Sequence, residues 1–234
     1  LADLRIPSHT FKVTRIYSLK GIVQGLRFMR LLRQKKIDIL MTYHFGSDIW
    51  GAVFGSMAGV PLIVSNRRDM GFWKKNFHTL AYRLVDRWVK RIVVNAKAVK
   101  EVVIRDEKVD PEKIEVIYNG IDLERLTSHL DGGSIRKNLD LPLNAFLIGC
   151  VANLRSVKGH RYLIQAARTL VSAFPNLHCI LIGKGELKSE LEIMISDLGL
   201  EKNVHLLGQR EDIPELLAQM DICILPSLSE GLSN

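Results

Sequence analysis

Short runs of β-branched and aliphatic residues alternate with longer segments of helical period along the whole chain, and this leaves few architectures open. Parallel strands need helical crossovers, so the pattern argues for parallel sheets with helices covering their faces. In the first half the expected strands are Ile37–Thr42, Val60–Ser65, Arg91–Asn95 and Ile114–Tyr118, and the expected helices Ser47–Ala58, Phe72–Lys90 and Ala96–Arg105. Trp73, Phe77, Leu80, Leu84 and Trp88 recur at helical spacing and are read as core. After Tyr118 the texture changes: Asn119-Gly120-Ile121-Asp122 is a turn signal, and a polar, glycine-containing stretch runs through Gly132-Gly133 to Leu141-Pro142. The alternation then restarts, with strands near Phe146–Ala152, Leu177–Gly183, Asn203–Leu207 and Asp221–Pro226. Helices fall near His160–Phe174, Glu186–Leu198 and Ile213–Gln219, the last opened by Asp212 as its cap. The expected organisation is two Rossmann-like α/β domains, 1–118 and 146–234, joined by an interdomain region over 119–145.

At 234 residues and 47% hydrophobic content the chain can bury two modest cores. Its three cysteines lie inside apolar runs without paired spacing, which reads as reduced, buried, structural thiols and suits a cytoplasmic location. The longest uncharged stretch, Ile49 to Asn66, is divided by Gly51, Gly55, Gly59 and Pro61 into a helix-like and a strand-like piece, so it reads as core rather than as a membrane span. Charge is uneven. Leu1 to Ile117 holds 22 Lys+Arg against 11 Asp+Glu, and Tyr118 to Asn234 holds 11 against 14. No stretch interleaves aromatics with bases as an RNA-binding sheet does, so no nucleic-acid partner is expected. The segment Lys20 to Lys36 reads as a basic amphipathic helix. Either it buries Ile22, Leu26, Met29 and Leu32 in its own domain, or it lies on an anionic membrane surface as a peripheral contact.

Open α/β sheets bind ligands beyond the carboxyl ends of their strands. In the second half the segments there are Asn153 to Gly159, Gly183 to Glu186, Gly208 to Asp212 and Ser227 to Asn234, and all carry glycine or charge. Lys158, beside Gly159 and ahead of a helix, is placed to meet a diphosphate as a point charge, and Arg155 to clamp the same oxygens. Gly183 and Gly185 let a nucleotide approach the backbone. They do not form a dinucleotide fingerprint, because Lys188 stands where a third glycine belongs, and this disfavours a nicotinamide oxidoreductase. There is no Asp-x-Asp to hold a metal on a diphosphate and no Walker sequence, so no metal and no cofactor is expected. At the end of the chain, a strand, a glycine turn and a helix start would offer free backbone N–H groups to phosphate, with Glu230 accepting from hydroxyls.

Four motifs, in order, resemble the family 4 retaining glycosyltransferases. Val116-Ile117-Tyr118-Asn119-Gly120-Ile121-Asp122 is similar to the family's interdomain strand and turn, and Val151-Ala152-Asn153-Leu154 with Lys158-Gly159 to its phosphate-binding loop. Leu206-Leu207-Gly208-Gln209-Arg210 with Asp212 resembles its base-recognition segment. Asp221 to Ser227, leading to Glu230-Gly231-Leu232-Ser233-Asn234, resembles its donor-sugar and phosphate motif. The resemblance implies a GT-B fold, two Rossmann-like domains facing across a cleft, both incomplete here, since the family's second motif Glu would fall at position 238, beyond Asn234. It implies catalytic roles for Arg155, Lys158 and Glu230, and donor contacts from Asn153, Gly183, Gly185, Arg210, Gly231, Leu232, Ser233 and Asn234. Many members have Arg where Asn153 stands, and a His after the strand matching Pro61 to Ser65, where this chain reads Ser65-Asn66-Arg67-Arg68-Asp69. His44, Arg67 and Arg68 are therefore the acceptor-side candidates, and the arginine pair either contacts a phosphate or pairs with Asp69 on the surface.

The activity implied is metal-independent, retaining transfer from a nucleoside-diphosphate sugar to a hydroxyl of a carbohydrate or lipid-linked acceptor, in polysaccharide or glycolipid assembly. The alternatives are a sugar-nucleotide 2-epimerase or a phosphorylase of the same fold, or a non-catalytic fragment that binds nucleotide-sugar without turnover.

Overall fold

The computed structural model describes residues 7–122, 135–142 and 144–232. They form two compact units, one holding residues 7–119 with Gly231 and Leu232, the other 120–230.

The first unit runs α1 (Leu19–Gln34), β1 (Ile39–Tyr43), α2 (Phe45–Ala58), β2 (Leu62–Arg67), α3 (Asn76–Val85), β3 (Arg91–Val94), α4 (Lys97–Val102) and β4 (Ile114–Val116). Its strands form one parallel sheet in the order β1-β2-β3-β4, with Ile39 opposite Leu62, Val64 opposite Arg91 and Ile92 opposite Ile114. From Ile63 to Arg67 every residue of β2 is buried, as expected of a strand covered on both faces. The core gathers Ala52, Ile63, Val85, Ile92, Val94, Val99, Val103 and Ile114. After Val102, α4 continues into a π turn, Val103–Glu107, which brings Glu107 inward until it is 1% exposed.

Two helices differ from their sequence pattern. In α1 the buried positions are Gly21, Gly25 and Leu32, while Ile22 and Leu26 remain 45% and 40% exposed. Leu32 is buried as expected, but over the first two turns the inward stripe is displaced by one residue, because small residues let the helix backbone approach α2. A Cβ at Gly25 would lie 2.1 Å from the Phe54 ring, and Trp50 Nε1 donates to the Gly21 carbonyl at 3.2 Å. Arg33 donates to the Met57 carbonyl at 2.6 Å, placing a cation at the carboxyl end of α2, where Gly59 caps with φ +81°. The helix expected over Phe72–Lys90 shortens to α3. It buries Tyr82 and Val85 and turns Phe77, Leu80 and Leu84 outward, so these three are not core, whereas Trp88, beyond the helix end, packs against the core as expected.

The second unit runs α5 (Ile135–Asn138), β5 (Phe146–Val151), α6 (His160–Ala173), β6 (Leu177–Ile182), α7 (Lys188–Asp197), β7 (Val204–Gly208), α8 (Ile213–Ala218) and β8 (Ile222–Cys223). The parallel sheet has the order β7-β6-β5-β8. Alternate residues of β5 and β6 fill cores on opposite faces. Ile148, Cys150, Cys179 and Leu181 pack with Leu163, Ile164 and Ala167 of α6, whereas Leu147, Ile180 and Ile182 pack with Ile135, Leu141, Ala145 and Leu216. The described residues between 135 and 145 therefore belong to the second core, not to a linker. Gly132-Gly133 lie outside the described residues. Cys150 and Cys179 are buried, and burial pushes both thiols up to about 11, but Cys223 is exposed, contrary to expectation. Among the described residues no helix is long and apolar enough to cross a membrane.

The contact of α1 with α2 is checkable. Gly25→Ala should destabilise the protein by about 1–3 kcal/mol through overpacking. In a double-mutant cycle with Phe54→Leu, measured by urea unfolding, the second change should recover part of that loss. Strict additivity would mean that the two sites do not meet.

Candidate functional site

In the second unit the segments beyond β5, β6 and β8 are joined backbone to backbone. Leu154 N donates to the Lys184 carbonyl at 3.0 Å, Gly183 N to the Gly208 carbonyl at 2.8 Å, and Leu228 N to the Val157 carbonyl at 2.8 Å. Glycine is required where these segments touch. A Cβ on Gly159, whose φ is +70°, would stand 2.0 Å from the Pro226 carbonyl oxygen. One on Gly183 would stand 2.0 Å from that of Ala152, and one on Gly185 2.3 Å from that of Leu154. Gly183 and Gly185, expected as ligand-facing positions, thus have a structural duty to the β5 segment as well.

A 3₁₀ turn, Ser156–Lys158, leads through Gly159 into α6, whose first-turn N–H groups leave the helix at this end. Asn153 and Arg155 are exposed beside it. Lys158 Nζ donates to Glu230 Oε1, so two residues assigned separate tasks form one ion pair, each side chain about one quarter exposed. Burial pushes the Glu230 carboxyl up, but the hydrogen bond and charge of Lys158 outweigh it and hold Glu230 below the usual glutamate range. His160 follows directly. It is 1% exposed, and burial, partly offset by the Ala152 backbone, holds its ring below the usual histidine range. Sequence reasoning passed over His160, although its place after Lys158-Gly159 was visible.

Arg210 is committed locally. Its Nε and Nη2 donate to the two carboxylate oxygens of Asp212 at 2.8 and 2.6 Å. Asp212 precedes α8 but makes no side-chain cap, a correction to its expected role, because the carboxylate turns to Arg210 instead. Ser233 and Asn234 lie outside the described residues.

In the first unit, Arg67 does not pair with Asp69 on the surface. It is 4% exposed and held by three carboxylates. Nε donates to Glu107 at 3.0 Å, Nη1 to Asp48 at 3.2 Å and Nη2 to Asp86 at 2.9 Å, and its guanidinium carbon lies 3.6 Å from the centre of the Tyr82 ring. The Tyr82 hydroxyl donates to Asp48, and Lys74 Nζ to Glu107 at 2.5 Å. Burial alone would lower the Arg67 pKa, but the surrounding carboxylates raise it, so this cation is permanent.

Arg68 is exposed and donates to Asn119 Oδ1 at 2.5 Å, while Asp69 accepts from Gly71 N and Trp73 Nε1. With His44, Phe45, Trp73, Lys74 and Tyr82, Arg68 lines a cavity of about 420 Å³ at the carboxyl ends of β1 and β2. His44 caps α2 with φ +71° and ψ 151°, a region that non-glycine residues rarely adopt and that costs of order 1–3 kcal/mol. The strain holds an imidazole in a cavity whose lining also carries three cations, Arg67, Arg68 and Lys74, one carboxylate, Asp69, and the rings of Phe45, Trp73 and Tyr82. The structure brings all three acceptor-side candidates to the lining of this cavity, His44 and Arg68 as exposed residues and Arg67 as a buried guanidinium held by its carboxylates.

Solved structures share this fold. Anabaena Alr3699/HepE, crystallised with UDP and glucose, matches 99% of this chain and 64% of its own, with a TM-score of 0.80 at 23% identity. In complex with UDP-glucose it matches 86% of this chain and 55% of its own, with a TM-score of 0.72 at 26% identity. The architecture is GT-B. The family described as Glycosyltransferase Family 4 matches residues 4–125, just over half of the chain, and that described as Glycosyl transferases group 1 matches residues 132–233. The chain belongs to glycosyltransferase family 4. It is 30% identical over 97% of its length to the UDP-Gal:alpha-D-GlcNAc-diphosphoundecaprenol alpha-1,3-galactosyltransferase of Escherichia coli. It is 27% identical over 90% of its length to a Campylobacter jejuni N-acetylgalactosaminyltransferase whose acceptor is also a diphospho-undecaprenol. It spans 60% and 57% of those two relatives.

Two outcomes test this geometry. His44→Gly should be more stable than His44→Ala by about 1 kcal/mol in thermal unfolding, since glycine alone relieves the positive φ; equal stability would deny the strain. The second concerns Asp86, whose carboxyl burial pushes up to about 6 against the pull of Arg67, above the ordinary value of about 3.9. The folded chain therefore holds this proton more tightly than the unfolded chain. The stabilisation it brings is present at pH near 4 and is lost as pH rises through about 6. Asp86→Asn keeps an acceptor for Arg67 but cannot titrate. Relative to this variant, the parent should gain stability between about pH 7 and pH 5 in urea unfolding; a constant difference would refute the assignment.

Proposed function

We propose that the full-length protein transfers a sugar, with retention, from a uridine-diphosphate sugar to a hydroxyl of a lipid-linked carbohydrate acceptor, in glycolipid or polysaccharide assembly. One observation carries the reading: Lys158 and Glu230, 72 residues apart, meet at the carboxyl ends of neighbouring strands, on segments joined through Gly159 and ahead of the first turn of α6. The names of the Escherichia coli and Campylobacter jejuni relatives support the lipid-diphosphate acceptor, and the former the uridine nucleotide.

In this reading the anomeric bond breaks through an oxocarbenium-like state, and the protein's task is to stabilise the departing diphosphate. Lys158, Arg155 and the α6 N–H groups supply fixed positive potential without a metal ion. Glu230 accepts from donor-sugar hydroxyls and keeps Lys158 aimed at the phosphate. The leaving diphosphate oxygen takes the acceptor's proton. The cavity in the first unit, with Trp73 as an apolar wall and His44, Arg68 and Lys74 as polar groups, is the acceptor side. Peripheral attachment to the inner face of the cytoplasmic membrane belongs to the same reading. Along α1, Ile22, Val23 and Leu26 stand exposed on a helix that carries Lys20, Arg27 and Arg30.

In the full-length enzyme, Lys158→Ala and Arg155→Ala should each raise the barrier to transfer by about 2–4 kcal/mol without lowering the melting temperature, the scale of one lost oxyanion donor. Glu230→Gln should abolish transfer and leave UDP affinity, measured by calorimetry, within a few-fold. Turnover close to the parent for both cation variants would sink the assignment. Products formed from labelled donor only when acceptor is present would separate transfer from epimerisation.

A further inference from the structure

We infer that the outward face of α3 is a docking surface for an anionic lipid bilayer. Phe77, Leu80 and Leu84 are 60%, 56% and 51% exposed, and their spacing puts them on one stripe of the helix, with Phe72 exposed just ahead of it. The opposite stripe, Tyr82 and Val85, faces the core. A helix at a protein–water boundary keeps its outer stripe polar, whereas this one is apolar on both sides, which marks a contact surface.

Charge identifies the occupant. Between Phe72 and Arg91 every exposed ionisable side chain is basic: Lys75, Arg83, Arg87, Lys90 and Arg91. The one acid in that span, Asp86, is buried against Arg67. At the carboxyl end of α3 a cavity of about 310 Å³ is lined by Arg83, Arg87, Lys108 and Lys113, a size and charge suited to a phosphate head group. Three carboxylates share its lining, and each is engaged. Asp86 and Glu107 hold Arg67, and Asp110 accepts from Glu112 N. Protein interfaces deplete lysine around their apolar centres, whereas an apolar stripe bordered by bases of one sign fits the boundary between acyl chains and anionic head groups.

The surface adjoins the cavity of the first unit through the chain itself, since Trp73 and Lys74 line that cavity and α3 starts at Asn76. A bilayer on α3 would therefore present the head of a membrane-anchored acceptor to His44, Arg68 and Lys74. That last step rests on the transfer reading; the docking surface does not.

The test is flotation of the full-length protein with vesicles of phosphatidylcholine alone and of phosphatidylcholine mixed with phosphatidylglycerol. The parent should float with the mixed vesicles only, and less as salt rises. Phe77→Ser with Leu80→Ser should weaken that binding by roughly tenfold or more, and Arg87→Gln with Lys90→Gln should weaken it and flatten its salt dependence. Both variants should keep the parent's melting temperature and its UDP affinity. Parental binding by the serine variant would overturn the inference and leave attachment to α1. Failure of the parent to prefer anionic vesicles, or a lipid-free dimer that the serine variant dissociates, would overturn it equally. Because flotation needs no turnover, transfer to a water-soluble acceptor without vesicle binding would fail this inference alone. Vesicle binding through α3 without transfer would fail the proposed function alone.

Discussion

A single buried guanidinium organises the first unit. Arg67 ends β2, and its three arms reach Asp48 on α2, Asp86 just after α3 and Glu107 at the π turn after α4. Removing one partner of such a cluster leaves uncompensated buried charge, typically at a cost of about 3–5 kcal/mol. With Lys74 the cluster counts two cations against three carboxylates. The excess negative charge is resolved at Asp86, whose Oδ2 is buried without a hydrogen-bond partner among the described residues and whose pKa rises to about 6. The cavity depends on this arrangement. Tyr82 and Lys74 line it only because one stacks on Arg67 and the other is drawn to Glu107.

The second unit positions its site by a different means. Glycines at 159, 183 and 185 allow the segments beyond β5, β6 and β8 to pass backbone against backbone, so their relative placement is set by peptide groups rather than by side chains. Only then do charges appear, as Lys158 and Glu230 on segments already fixed. Backbone placement is stiff, and side chains mounted on it need little reorganisation when a charged group arrives, the condition under which fixed dipoles and cations stabilise developing charge. The same logic makes Gly159 as important to the reading as Lys158, although it carries no chemistry.

Much of this was legible in the sequence, and the failures have physical reasons. The alternation located the eight strands among the described residues to within a few residues, because β-branched runs and helical periods report backbone state directly. What period alone cannot report is which side of a helix faces inward. In α1 the inward stripe holds Gly21 and Gly25, which give no hydrophobic signal, so the apolar residues one position on drew the assignment. In α3 both stripes are apolar, and by sequence the larger side chains read as core. The role of Arg67 was hidden for another reason: its partners lie 19 and 40 residues away, on elements whose packing no local pattern encodes. Glu230 and Lys158 stand out in the sequence because each follows a strand whose carboxyl end the topology brings to one edge. Their pairing does not.

These results make α3 answerable to three demands at once. Its inner stripe must supply Tyr82 to the buried cation, its approach must supply Trp73 and Lys74 to the cavity, and its outer stripe carries Phe77, Leu80 and Leu84 into the surroundings. The first demand explains how the third can be met. An exposed apolar stripe draws a helix toward collapse onto its own domain, but the Arg67 cluster grips α3 from within through Tyr82 and the adjoining Asp86, and so fixes its rotation about its axis. The cost of a buried, partly unpaired carboxylate at Asp86 then has a use beyond stability. It holds outward a surface that hydrophobic packing alone would turn in.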